Sequence, residues 1–220
     1  MAGLTLFAHP FSSYCQKALI VLYGNDTPFT YRVIGPDDPE ASVELERRWP
    51  FKKFPVLVDG DRTLIETTIV VEYLDRHHRR GPRMIPEAPD DALEVRFLDR
   101  FFDNYVMTPM QKIVGDALRT KDQRDPRGVE DARATLDTAY RWADARMAGR
   151  TWAYGEGPTL ADCAAAPSLF YADWAHPIAE VFGNLRAYRA RLNAWAPYAR
   201  CIEEARPFRP FFPLGAPDRD

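Results

Sequence analysis

The chain has 220 residues, 46% of them hydrophobic and 28% charged, with a formal net charge of -3 at pH 7. That is long enough for one large domain or two small ones with a real core. The absence of a basic stripe argues against nucleic acid, no apolar run reaches the ~18 residues a membrane-spanning helix needs, and the N-terminus enters a strand pattern without a secretory n- and h-region.

The cysteines, Cys15, Cys163 and Cys201, are sparse and odd in number. They argue against a disulfide framework and for a reducing compartment, so a cytoplasmic location is expected. Leu4 to Phe7 reads as a strand and Gln16 to Tyr23 as a helix ended by Gly24-Asn25. Phe29 to Ile34 alternates as a strand, Gly35 to Pro39 is a loop, and Ala41 to Arg48 is a short helix. Val56 to Asp59 and Thr63 to Ile65 form a hairpin around Gly60-Asp61, and Thr67 to Arg76 is a helix with Ile69, Val70, Tyr73 and Leu74 on one face. The order β-α-β-α-β-β-α implies a mixed sheet in a small α/β domain.

Arg76 to Arg83, followed by Pro86 and Pro89, is polar and proline-punctuated, as a linker would be. His77-His78 lacks a partner at ligand spacing, so it reads as solvated linker rather than a metal site. From Asp91 the pattern turns helical. A broad apolar face runs from Leu93 through Phe97, Phe101, Tyr105 and Met110 to Leu118, and Pro109 should kink it near Tyr105. Val129 to Met147 carries a second stripe, and further helices are expected near 161–176 and 184–195. Pro207 to Pro213 cannot be regular helix.

Two segments carry chemistry. In His9-Pro10-Phe11-Ser12-Ser13-Tyr14-Cys15-Gln16-Lys17, a serine stands between a strand and a helix N-terminus, whose N–H groups and dipole favour an anion. A hydroxyl donating to a thiol there lowers the thiol pKa from near 8.5. By the residues alone, Ser12 or Ser13 equally well caps the helix. In Lys52-Lys53-Phe54-Pro55-Val56-Leu57-Val58-Asp59-Gly60, then Leu64-Ile65-Glu66-Thr67-Thr68, a proline precedes a strand and a second helix start offers N–H groups and a hydroxyl to a carboxylate.

In this order and spacing the two segments resemble the glutathione-binding half of the cytosolic glutathione S-transferases, of a bacterial, serine-class type akin to theta, zeta and omega members. Gly157-Pro158-Thr159-Leu160-Ala161-Asp162 resembles the helix-capping box of that family's second domain, with Thr159 at the cap and Asp162 reaching back to it. The resemblance implies an α/β thioredoxin-like N-terminal domain over residues 1–78, a linker over 79–89, and an all-α helical-bundle domain over 90–220. It implies glutathione as co-substrate, with no metal. Ser12 is the expected thiolate stabiliser and Ser13 its rival. A cis Phe54-Pro55 bond presents the Phe54 backbone to the cysteinyl unit, Glu66 and Thr67 hold the γ-glutamyl end, and Lys52 or Lys53 meets the glycine carboxylate.

A small hydrophobic electrophile would lie over the second domain, beside Tyr105 and Met110. Detoxifying transfer by a homodimer follows from the same resemblance. Glutathione-dependent isomerisation, dehalogenation and ether cleavage share the first site and stay open, as does a non-catalytic binding module. Ser12-Ser13-Tyr14-Cys15 lacks the first cysteine of a Cys-x-x-Cys motif, so dithiol exchange is disfavoured and Cys15 is expected to pack inward.

Overall fold

A computed structural model describes residues 3–220. Four strands, β1 (Leu4–Ala8), β2 (Phe29–Val33), β3 (Val56–Asp59) and β4 (Arg62–Leu64), form one mixed sheet in the order β2-β1-β3-β4. β1 runs parallel to β2 and antiparallel to β3, and β3 pairs antiparallel with β4 through a turn at Gly60, whose φ of 57° suits glycine. The strand period sorts side chains onto two faces. Leu4, Leu6, Ala8 and Leu57 enter the main core, whereas Phe7, Val56 and Val58 pack with Ala41 and Leu45.

The helices of this half are α1 (Ser13–Gly24), α2 (Pro39–Arg48) and α3 (Thr67–His77). α2 starts where Asp38 accepts the Ala41 N–H at 3.0 Å and Pro39 takes the first turn. Residues 78–88 lead to the helical half, and they are not merely solvated: His78 Nε2 lies 2.9 Å from the Asp59 carboxylate, which also accepts from Tyr73.

The second half comprises α4 (Pro89–Phe101), α5 (Thr108–Ala117), α6 (Pro126–Met147), α7 (Leu160–Ala175), α8 (Gly183–Ala194) and α9 (Ala196–Ala205). A π-helical turn, Phe102–Met107, joins α4 to α5 without a break. Pro109 has no N–H for an ordinary helical bond, and the turn before it widens: the Thr108 N–H reaches back five residues to the Asp103 carbonyl, which the Thr108 hydroxyl also meets at 3.0 Å. The expected kink is therefore a change of helical phase. Residues 206–211 form a 3-10 turn rather than α-helix.

All sixteen residues of α7 are buried. Its start is fixed by the capping box: Asp162 accepts from the Thr159 N–H at 2.8 Å, and also from the Ala153 N–H at 2.9 Å and the Tyr188 hydroxyl at 2.7 Å. α1 packs against both α7 and α9, so one continuous core spans the two halves. Among the described residues no helix is long and apolar enough to cross a membrane. Cys15, Cys163 and Cys201 are free and buried.

Candidate active site

Ser12 is the N-cap of α1: its backbone is extended and its hydroxyl oxygen accepts the Cys15 N–H at 3.5 Å. A hydroxyl that accepts through a lone pair keeps its own hydrogen for another partner. The loop carrying it is pinned. Ser12 N–H bonds the His9 carbonyl at 3.0 Å, Gln16 donates to the Pro10 carbonyl at 2.8 Å, and Gln16 meets the Tyr171 hydroxyl at 2.9 Å. The His9 ring packs edge-on to Phe208 from the C-terminal segment, and burial lowers its pKa, favouring neutral imidazole. α1 begins three residues before the expected Gln16, because the cap at Ser12 starts the helix ahead of its apolar stripe.

Beside this loop lies a cleft of about 570 Å³ between the two halves. Its N-terminal wall is Lys53, Phe54, Pro55, Glu66, Thr67, Thr68 and Ile69, with Trp49 and Tyr14 at its margins. The Phe54-Pro55 bond is cis. Glu66 caps α3 with φ 67°, a left-handed conformation uncommon outside glycine, which aims the first N–H groups of α3 at the cleft mouth. Thr67 is buried there.

Not every expected residue reaches the cleft. Ser12 and the buried Ser13 lie beside it, outside its lining, where α1 begins. Lys52 turns away with φ 55° and pairs with Glu46 at 2.9 Å, leaving Lys53 as the lysine of the cleft. Tyr105 and Met110 are corrections. Tyr105 lines a separate groove with Phe97, Phe101 and Trp142, and Met110 is buried in the core. The apolar side of the α4–α5 helix is spent on α6 and α7, so its polar edge faces the cleft. That edge is Arg100, Asp103, Asn104, Thr108 and Gln111.

Behind the polar edge is an ion cluster that sequence reasoning missed. Lys17, 1% exposed, contacts the Asp99 carboxylate, lies 2.9 Å from Asp103 and donates to Thr68 at 3.1 Å. Arg100 closes the cluster from the solvent side, bonding Asp99 at 2.7 Å and Asp103. Burial raises the Asp103 carboxyl pKa, opposed by Lys17. The sequence signal was a lysine inside the apolar run Lys17-Ala18-Leu19-Ile20-Val21-Leu22, which demands a buried counter-ion. Cys15 has no exposed surface, and desolvation pushes its thiol up to about 12, so it is no nucleophile.

The sequence pattern of the glutathione S-transferase N-terminal domain matches residues 6–83, and that of the C-terminal domain matches residues 126–191. The chain belongs to the glutathione S-transferase superfamily. Its relatives include glutathione transferase GST 23 of Zea mays, 28% identical over 70% of this chain and 64% of that one. A stringent starvation protein A homolog of Coxiella burnetii is 25% identical over 76% of this chain and 75% of its own. Against glutathione S-transferase U9 of Arabidopsis thaliana the match spans about half of the relative's length, 51%.

Superfamily members of known structure share the fold. A glutathione S-transferase from Methylobacillus flagellatus, solved with glutathione bound, superposes with a TM-score of 0.80 at 23% identity, over 90% of this chain and 98% of that one. A delta-class transferase of Nilaparvata lugens gives 0.82 at 19% identity, over 95% and 98%. The thioredoxin-like first half and helical second half are thus the glutathione S-transferase fold.

Proposed function

We propose that this chain is a glutathione transferase that ionises glutathione at Ser12 and directs the sulfur at an electrophile held in the cleft. The observation that carries this reading is the convergence, in one cleft, of the Phe54-Pro55 backbone edge and the α3 start at Glu66-Thr67, with the Ser12 cap at its margin. The γ-glutamyl carboxylate fits the α3 N–H groups and the Thr67 hydroxyl. The cysteinyl unit pairs with the Phe54 backbone, and Lys53 meets the glycine carboxylate. The sulfur then lies at the α1 N-terminus, where dipole and hydroxyl favour thiolate. Holding both reactants in one cleft supplies proximity.

The test is the ultraviolet thiolate band on adding glutathione at pH 6.5, native protein against Ser12→Ala. A band that vanishes in the variant supports the assignment, and a band that survives moves the role to Ser13 or the helix end. No band in the native protein favours a second reading, a glutathione-binding module without transfer chemistry. That reading draws on Ser12 and Ser13 lying outside the cleft lining.

We infer a homodimer as well. Leu93, Phe97 and Tyr105 on the α4 side and Ile69 on α3 are exposed apolar residues that a second copy would cover; light scattering checks it. Three free buried thiols agree with a reducing, cytoplasmic setting.

A further inference from the structure

The second-substrate wall of the cleft is not apolar. Arg100, Asp103, Asn104, Thr108 and Gln111 line it, and Tyr14 stands where the two walls meet. The Tyr14 phenol has cleft groups on both sides, with Glu66 from the N-terminal wall and Asp103, Arg100 and Thr108 from the other. Its ring is half-buried one turn from Ser12, so the hydroxyl lies close to where a sulfur at the α1 start would react. Desolvation, then Asp103, pushes its pKa up to about 12, which keeps the phenol protonated at neutral pH.

We propose that Tyr14 is a catalytic hydrogen-bond donor and that the second substrate is an α,β-unsaturated carbonyl compound. This rests on the transferase reading above. The thiolate forms an S–C bond at the β-carbon, and the C=C pair moves to give an enolate. Its oxygen gains negative charge and receives the Tyr14 O–H hydrogen bond, with Arg100 nearby to stabilise the charge. The α-carbon then takes a proton from water, balancing the one released when glutathione ionised. One thiol and one enone give one thioether. A substrate that expels halide places its charge on the leaving group instead and has no oxygen for Tyr14 to serve.

The experiment compares native protein with Tyr14→Phe on trans-4-phenyl-3-buten-2-one and on benzyl bromide, alongside the thiolate band and the thermal midpoint. The expected result is a loss of kcat/KM for the enone about 10- to 100-fold greater than for benzyl bromide, carried mainly by kcat, with the band and midpoint retained. Equal losses on both substrates, or no loss on the enone, overturn the proposal. So does a native enzyme that conjugates benzyl bromide but not the enone, an outcome that leaves the transferase reading standing. A native protein without a thiolate band sinks the transferase reading itself.

Discussion

The two walls of the cleft are built from different materials. The N-terminal wall is mostly backbone: an edge at Phe54-Pro55 and a helix start at Glu66-Thr67, next to a second helix start at Ser12. The C-terminal wall is side chains from one helical edge, held in phase by a π turn and backed by Lys17, Asp99 and Asp103. A wall of backbone groups keeps its donors whatever side chains surround it, so it suits a constant ligand. A wall of side chains changes with each substitution, so it suits the variable one.

If the difference is real, side-chain deletions should be most damaging behind the C-terminal wall. Lys17→Met strands two buried carboxylates and is expected to cost about 3–5 kcal/mol of unfolding free energy, read from urea midpoints. Adding Asp103→Asn should restore part of it; a loss under 1 kcal/mol for Lys17→Met (about the worth of an exposed pair) would mean the cluster is effectively solvated.

At the other wall, Ser12→Ala is expected to lower kcat/KM about 100-fold, near 2.7 kcal/mol of transition-state stabilisation, while loss of the cap costs about 1 kcal/mol of stability. Thr67→Ala should be milder. The N–H groups of α3 remain, so KM for glutathione is expected to rise about 5- to 10-fold at little change in kcat.

The smallest expected effect lies away from the cleft, at Asp59. Hydrogen bonds from Tyr73, then His78, hold its carboxyl below the ordinary carboxylate range. A depressed folded pKa contributes stability above the unfolded pKa, near 3.9, and loses it as pH falls through the folded value. The native protein should therefore exceed Asp59→Asn in urea midpoint at pH 6, with the gap closing by pH 3. A gap independent of pH would assign the effect to packing.

The same contrast governs what could be read in advance. Backbone features leave marks in the residues themselves. Pro55 before a strand, Thr159 with Asp162 at a helix start, and Gly60 in a hairpin each restrict the chain locally, and each is found as expected. The β-α-β-α-β-β-α order follows from periodicity and is present without change. Helical phase is different, since it depends on every preceding turn. One π turn at 102–107, together with the demand of α6 and α7 for apolar partners, moves Tyr105 and Met110 away from the cleft and gives the place to Arg100, Asn104 and Gln111. α9 escaped because its stripe is short, although Pro197 in its first turn was a usable sign.

The contact of α1 with α7 and α9 also has a temporal side. The ribosome delivers α1 and the sheet early, but Leu160–Ala175 and Ala196–Ala205 only near the end. At about 5–20 residues per second, the inner face of α1, with Ala18, Leu22 and the ionic Lys17, waits on the order of ten seconds for its partners. For that interval the nascent chain presents an adhesive, charged-centred stripe to the cytosol. Its yield in cells is therefore expected to depend on chaperone supply during synthesis more than on the stability of the finished molecule.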